Sequence, residues 1–109
     1  MGKKIYTWGS LFADRNYTVD DLKKLKGKKK LVQTTATNEE EAAAAADASF
    51  DMLLCKSPNI KNVRLGAPST FLTATIDLAN FPTRDDVLRE AFKAMKDGAD
   101  QIYTARGPH

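Results

Sequence analysis

Polar residues with chemistry to offer close four short apolar runs. Thr35, Thr37 and Asn38 end the first, Cys55, Lys56 and Ser57 the second, Asp77 and Asn80 the third, and Thr104 and Arg106 the fourth. In folds built on parallel strands, ligands gather beyond the C-terminal strand ends. Thr35, Lys56, Ser57 and Arg106 are therefore substrate-binding candidates, and two cations beside two hydroxyls suit a small anion. Wet loops are polar for their own reasons, so position alone is an argument from architecture. Asp77 stands out, because a carboxylate closing an apolar strand must face solvent, a cation or a metal. It is the metal-ligand candidate. No residue type or spacing singles out a catalytic group.

Other signatures are missing from the sequence. It has no phosphate-cradling glycine loop, no paired-cysteine metal spacing and no serine–glycine elbow. The single histidine, His109, is the last residue, and termini seldom carry sites. The lone Cys55 lies in an apolar run and reads as a buried, inert thiol. One cysteine in 109 residues fits a reducing, cytoplasmic setting. No apolar run approaches a membrane span, so no membrane partner is expected. The net charge of +3 is modest, and much of it comes from Lys23, Lys24, Lys26, Lys28, Lys29 and Lys30. Asp20 and Asp21 share that segment and no aromatics interleave it. It reads as a solvated face, and no nucleic-acid partner is expected.

The elements that must position these residues alternate in type. The clearest unit runs from Thr83 to Arg106. Thr83 is placed to cap a helix with Asp86 three residues on, and Val87, Leu88, Ala91, Phe92 and Met95 form its apolar stripe. Gly98 ends the helix, and Gln101 to Ala105 is a strand. Earlier, Thr18 caps a short lysine-coated helix with Asp21 as its capping-box partner, stopped at Gly27. Lys30 to Thr37 reads as a strand. Asn38, Glu39, Glu40 and Glu41 combine cap, capping-box glutamate and acidic first turn of an alanine-rich helix ending at Ser49. Phe50 to Cys55 and Phe71 to Leu78 are two more strands. Between them lies a connector, Lys56 to Thr70, in which Ser57-Pro58 opens a turn or two of helix. Residues 1–17 have mixed apolar signals and read as an N-terminal arm packed on the body.

Strands alternating with amphipathic helices predict an α/β fold with right-handed crossovers and a parallel sheet over residues 18–109. Four such strands have two homes, an open doubly wound sheet or half of a (β/α)8 TIM-type barrel. The sequence stops just after the fourth strand. That ending is expected of a fragment, or of a half-barrel completed by oligomerisation or by a missing C-terminal half.

With the strands placed, residues 18 to 107 resemble the first half of the ketopantoate hydroxymethyltransferase (3-methyl-2-oxobutanoate hydroxymethyltransferase) family, barrels of the phosphoenolpyruvate mutase and isocitrate lyase type. Thr18-Val19-Asp20-Asp21-Leu22 with Leu25-Lys26 is similar to the family's opening helix. Thr35-Ala36-Thr37-Asn38 stands where the family has T-A-Y-D, and Asp51 to Ser57 resembles M-L-V-G-D-S. Asp77-Leu78 resembles the D-L of the third strand, and Gly98-Ala99-Asp100 the G-A-(N/D) before the fourth. The resemblance implies a one-carbon aldol transfer from methylenetetrahydrofolate to a small 2-oxo acid, with Mg²⁺ holding the oxo acid and stabilising its enolate. The family's two metal-binding aspartates fall at Ser57, which lacks the charge, and at Asp77 once two residues of the loop are skipped (Thr75 without a gap). Tyr103-Thr104-Ala105 replaces the family's K-x-E, and the glutamate base would lie beyond residue 109. A hydroxymethyltransferase-like protein without turnover in this 109-residue form is therefore expected. The rival expectation is a non-catalytic module that self-associates through open sheet edges.

Overall fold

A computed structural model describes residues 3–6, 12–28 and 30–105. It opens with an antiparallel pair, β1 (Lys3–Tyr6) and β2 (Phe12–Arg15), followed by α1 (Val19–Leu25). Next come β3 (Gln33–Thr35), α2 (Glu39–Asp47), β4 (Met52–Lys56), α3 (Ile60–Gly66), β5 (Phe71–Asp77), α4 (Arg84–Asp97) and β6 (Gln101–Ala105). Strands β3 to β6 form one sheet in chain order, and every neighbouring pair is parallel.

The expected mixed α/β fold with a parallel sheet is therefore present. The Lys56–Thr70 connector is more than expected: a 3₁₀ turn at Ser57–Asn59 runs into α3, so it is a full crossover helix. Pro58 in the first turn needs no N–H partner there. The first two parallel strands are displaced from their expected bounds. The first pairs only over Gln33–Thr35, and the second begins at Met52 and includes Lys56. Just before Met52, Asp51 bonds to the segment that leads into β3, its backbone N–H donating to the Val32 carbonyl at 2.9 Å. Its Oδ2 accepts from the Val32 N–H (2.9 Å) and its Oδ1 from the Tyr17 hydroxyl (3.2 Å).

Helix starts follow the expected chemistry. Thr18 and Asp21 form a reciprocal capping box on α1. Asn38 Oδ1 accepts from the Glu41 N–H on α2 at 2.8 Å, and Thr83 Oγ1 from the Asp86 N–H on α4 at 3.1 Å. The Glu41 carboxylate does not close a box on Asn38. It turns back one residue further and accepts from both Thr37 N–H (2.8 Å) and Thr37 Oγ1–H (2.6 Å), which together hold its pKa below the ordinary glutamate value. Ser49 ends α2 in the left-handed region at φ 63°, and Gly98 ends α4 at φ 124°.

All three crossover helices pack on one face of the sheet. Ala42 and Ala45 of α2, Ile60 and Val63 of α3 and Ala94 of α4 join Leu53, Cys55, Leu72 and Ala74 of the strands in a single buried cluster. Small alanines let α2 settle close to its neighbours. At Gly66 the approach is closer still, since a Cβ there would fall on the carbonyl of Glu39. The stripe expected on α4 is rotated. Leu88 and Phe92 stay 48% and 54% exposed, and Ala94, outside that stripe, is the buried contact at 1%. The small Ala94 is the α4 residue in the buried cluster against the strands.

Candidate functional site

Strand pleating sorts the strand-end residues. On β4, Leu53 and Cys55 face the helices, so Met52, Leu54 and Lys56 face the other way. The same alternation puts Gln33, Thr73, Thr75, Gln101 and Tyr103 with Leu54 around an open concavity of about 400 Å³. Register stacks these residues in rows across the strands. Thr35, Leu54, Thr73 and Gln101 form one row, Lys56, Thr75 and Tyr103 the next, and Asp77 stands beyond Thr75 on the same side.

Of the five candidates, Thr35, Lys56 and Asp77 share this open side at the C-terminal end. Ser57 does not. Its pleat position turns it behind the sheet, where it is 3% exposed and its Oγ donates to Glu90 Oε2 of α4 at 2.5 Å. The fifth, Arg106, lies outside the described residues, as do His109 and Lys29.

Several donors on the open face have no protein acceptor among the described residues. Thr73 Oγ1 donates to Gln101 Oε1 at 3.2 Å, and the Gln101 amide nitrogen makes no hydrogen bond among the described residues. Thr75 Oγ1 contacts the Cys55 carbonyl at 3.4 Å. The Gln33 amide, the Tyr103 hydroxyl and the Lys56 ammonium make no side-chain hydrogen bond or ion pair among the described residues. Asp77 spends one oxygen on the Ala79 N–H (3.0 Å), starting the 3₁₀ turn Leu78–Asn80. Sequence reasoning missed Gln33, Thr73, Gln101 and Tyr103. They precede the strand ends, and only alternation from a known start at Met52 would have found them.

Mg²⁺ wants several hard, anionic oxygens. The open face supplies one carboxylate, Asp77, with an ammonium on the adjacent strand. Among the described residues no three His, Cys, Asp or Glu side chains come together in a group that could hold a metal ion. This donor set does not fit the ion that the family resemblance implies. Cys55 is no nucleophile either. Burial lifts its thiol to about 11, so it stays protonated near neutral pH.

At the opposite end of the sheet lies a cleft of about 560 Å³ lined by Asn16, Tyr17, Asp51 and Ser69 among others. Its polar groups are largely spent. Asn16 Oδ1 accepts from Tyr17 and Phe71 N–H groups, its Nδ2 donates to the Asp51 carbonyl, and both Asp51 carboxylate oxygens are taken. Nearby, Asp100 accepts from Arg15 Nε at 2.8 and 2.9 Å, from Arg64 Nη2 at 3.0 Å and from the Leu72 N–H at 3.0 Å. Side-chain exposures are 3% for Arg15, 12% for Arg64 and 8% for Asp100. Desolvation lowers the Arg64 pKa to about 10, with the Asp100 charge opposing the fall. This triad joins β2, α3 and the turn before β6, and belongs to the scaffold.

No helix among the described residues is long and apolar enough to cross a membrane. Comparison with protein-family models, with curated proteins and with solved structures finds no match to this chain.

Proposed function

We propose that this chain is a ketopantoate hydroxymethyltransferase-like half-barrel that binds a small 2-oxo acid on its open sheet face and does not turn it over. One observation carries the reading: the concavity around Leu54, Thr73, Thr75 and Tyr103 presents unspent donors beside Lys56. A 2-oxo acid offers only acceptors in its head group, a carboxylate next to a carbonyl, and Leu54 offers apolar surface to a short alkyl tail. The volume is that of a small-molecule site. The winding supports the half-barrel. Sequential strands with every crossover helix on one face are how a (β/α)8 barrel is built, whereas a doubly wound sheet reverses its order.

The strand-end chemistry supports binding without turnover. The M-L-V-G-D-S motif, laid on Met52–Ser57 without a gap, sets its aspartate at Lys56, which faces the open side, rather than at Ser57, which does not. Asp77 is the lone carboxylate on that face among the described residues, and the position of K-x-E holds Tyr103, Thr104 and Ala105. Titration of the chain with 2-oxoisovalerate, followed by NMR, is expected to shift the Thr73, Thr75, Gln101 and Tyr103 signals. Assay with 2-oxoisovalerate and methylenetetrahydrofolate is expected to yield no aldol product. Unmoved signals would defeat the binding claim, and product formation would defeat the claim of no turnover.

A second reading, a self-associating module, has its own support. The β3 and β6 edges of the parallel sheet are unpaired among the described residues, and Leu88 and Phe92 lie exposed on α4 beside β6. Light scattering over a concentration series separates the two readings, since a monomer throughout would remove this one.

A further inference from the structure

We infer that the open face is a metal-independent anion site in which the Lys56 ammonium supplies the positive charge, and that this one position decides whether the face takes an anion or a divalent cation. The inference deepens the proposed 2-oxo-acid site and rests on that reading for its ligand class, a small carboxylate with a neighbouring acceptor oxygen.

Charge and hydrogen-bond supply both point this way. Lys56 ends β4 on the open side, exposed, directly across from Thr75 and one strand further from Tyr103. It is the cation that this row presents, and it has no ion-pair partner among the described residues. Asp77 is its diagonal neighbour on β5. Diagonal neighbours on one sheet face stand about 7–8 Å apart, close enough for each charge to govern the other's ligand. The Asp77 carboxylate is already engaged by the Ala79 N–H, which leaves it less to offer a ligand. Beside Lys56, the Tyr103 hydroxyl in the same row and the Gln101 amide in the row before add donors that suit carboxylate and carbonyl oxygens. A dication brought to the same place would meet an ammonium and one partly spent carboxylate. Replacing Lys56 by aspartate reverses that balance, because two carboxylates would then face the same side from adjacent strands.

The test uses the full 109-residue chain with 2-oxoisovalerate as the anion probe and Mn²⁺ as the cation probe. Calorimetry is expected to give the same 2-oxoisovalerate affinity in EDTA and in Mg²⁺. Lys56→Met is expected to weaken it by about ten- to a hundredfold, the worth of one charge-assisted hydrogen bond. Lys56→Asp is expected to lose the anion and gain Mn²⁺ binding, read by water-proton relaxation, and adding Asp77→Asn is expected to remove that gain. Urea midpoints confirm that each variant is folded. Binding that requires Mg²⁺, or that survives Lys56→Met, overturns the inference and leaves the 2-oxo-acid reading standing. So does Mn²⁺ binding by the unmodified chain. Failure to bind 2-oxoisovalerate with and without Mg²⁺ removes the reading and this inference together.

Discussion

The two ends of the parallel sheet use polar residues in opposite ways. At the N-terminal end, Asp100 takes hydrogen bonds from Arg15, Arg64 and the Leu72 backbone, and Arg64 also donates to the carbonyls of Ala67, Thr70 and Gly98. All three side chains are nearly out of solvent, and no buried polar side-chain atom is left without a partner among the described residues. Toward the C-terminal end, Lys56 and Tyr103 are exposed and make no side-chain hydrogen bond or ion pair among the described residues. A buried charge must be matched or it costs several kcal/mol, whereas an exposed one is solvated and free to be recruited. Full satisfaction marks the end that holds the fold, and unpartnered donors mark the end at which the proposed ligand site lies.

That contrast breaks most readily at Asp100. Asp100→Ala leaves two buried guanidinium groups facing each other without an anion, and is expected to lower unfolding free energy by about 3–5 kcal/mol in urea titration. A loss under about 1 kcal/mol would mean the triad is not what ties β2 to α3 and β6. Ser57 and Lys56, adjacent in sequence, sharpen the comparison. Ser57→Ala removes a buried hydrogen bond to Glu90 and is expected to cost about 1–2 kcal/mol. Lys56→Met, on the open side, is expected to change stability by less than about 0.5 kcal/mol. Equal losses at both positions would contradict the assignment of the two residues to opposite faces.

The smallest effect concerns Glu41. Its folded pKa is lowered by Thr37, through the hydroxyl first and the backbone N–H second. A carboxylate depressed on folding contributes stability above its unfolded pKa, near 4.5, and loses that contribution as pH falls through the lower folded value. Thr37→Val is expected to move the Glu41 titration, followed by NMR, back toward 4.5 without reaching it, since the backbone bond remains. No movement would assign the shift to the backbone bond alone.

Much of the fold was legible because it is local. Thr18, Asn38 and Thr83 announce their helices through hydrogen bonds to residues three positions on, and β-branched runs bracketed by turn residues announce strands. The Asp51 anchor was not legible, because it joins Tyr17 and Val32 across the chain. Of the candidate residues, Thr35, Lys56 and Asp77 were named for their place at strand ends, and they share the open side of the sheet. Ser57 was named for the same reason but is buried against Glu90, because its orientation depends on where β4 starts, and a one-residue shift reverses every side chain.

The sequence by itself determined the alternation of helices and strands, their caps, the single buried thiol and the set of polar strand-end residues, all through interactions within a few positions. Tertiary structure decided which of Lys56 and Ser57 meets the open face, which side of α4 touches the sheet, and how Arg15 finds Asp100 at a separation of 85 residues. Those choices depend on register, on helix packing and on long-range pairing of charges. No local pattern encodes them, because each is fixed only when two distant segments compete for the same space.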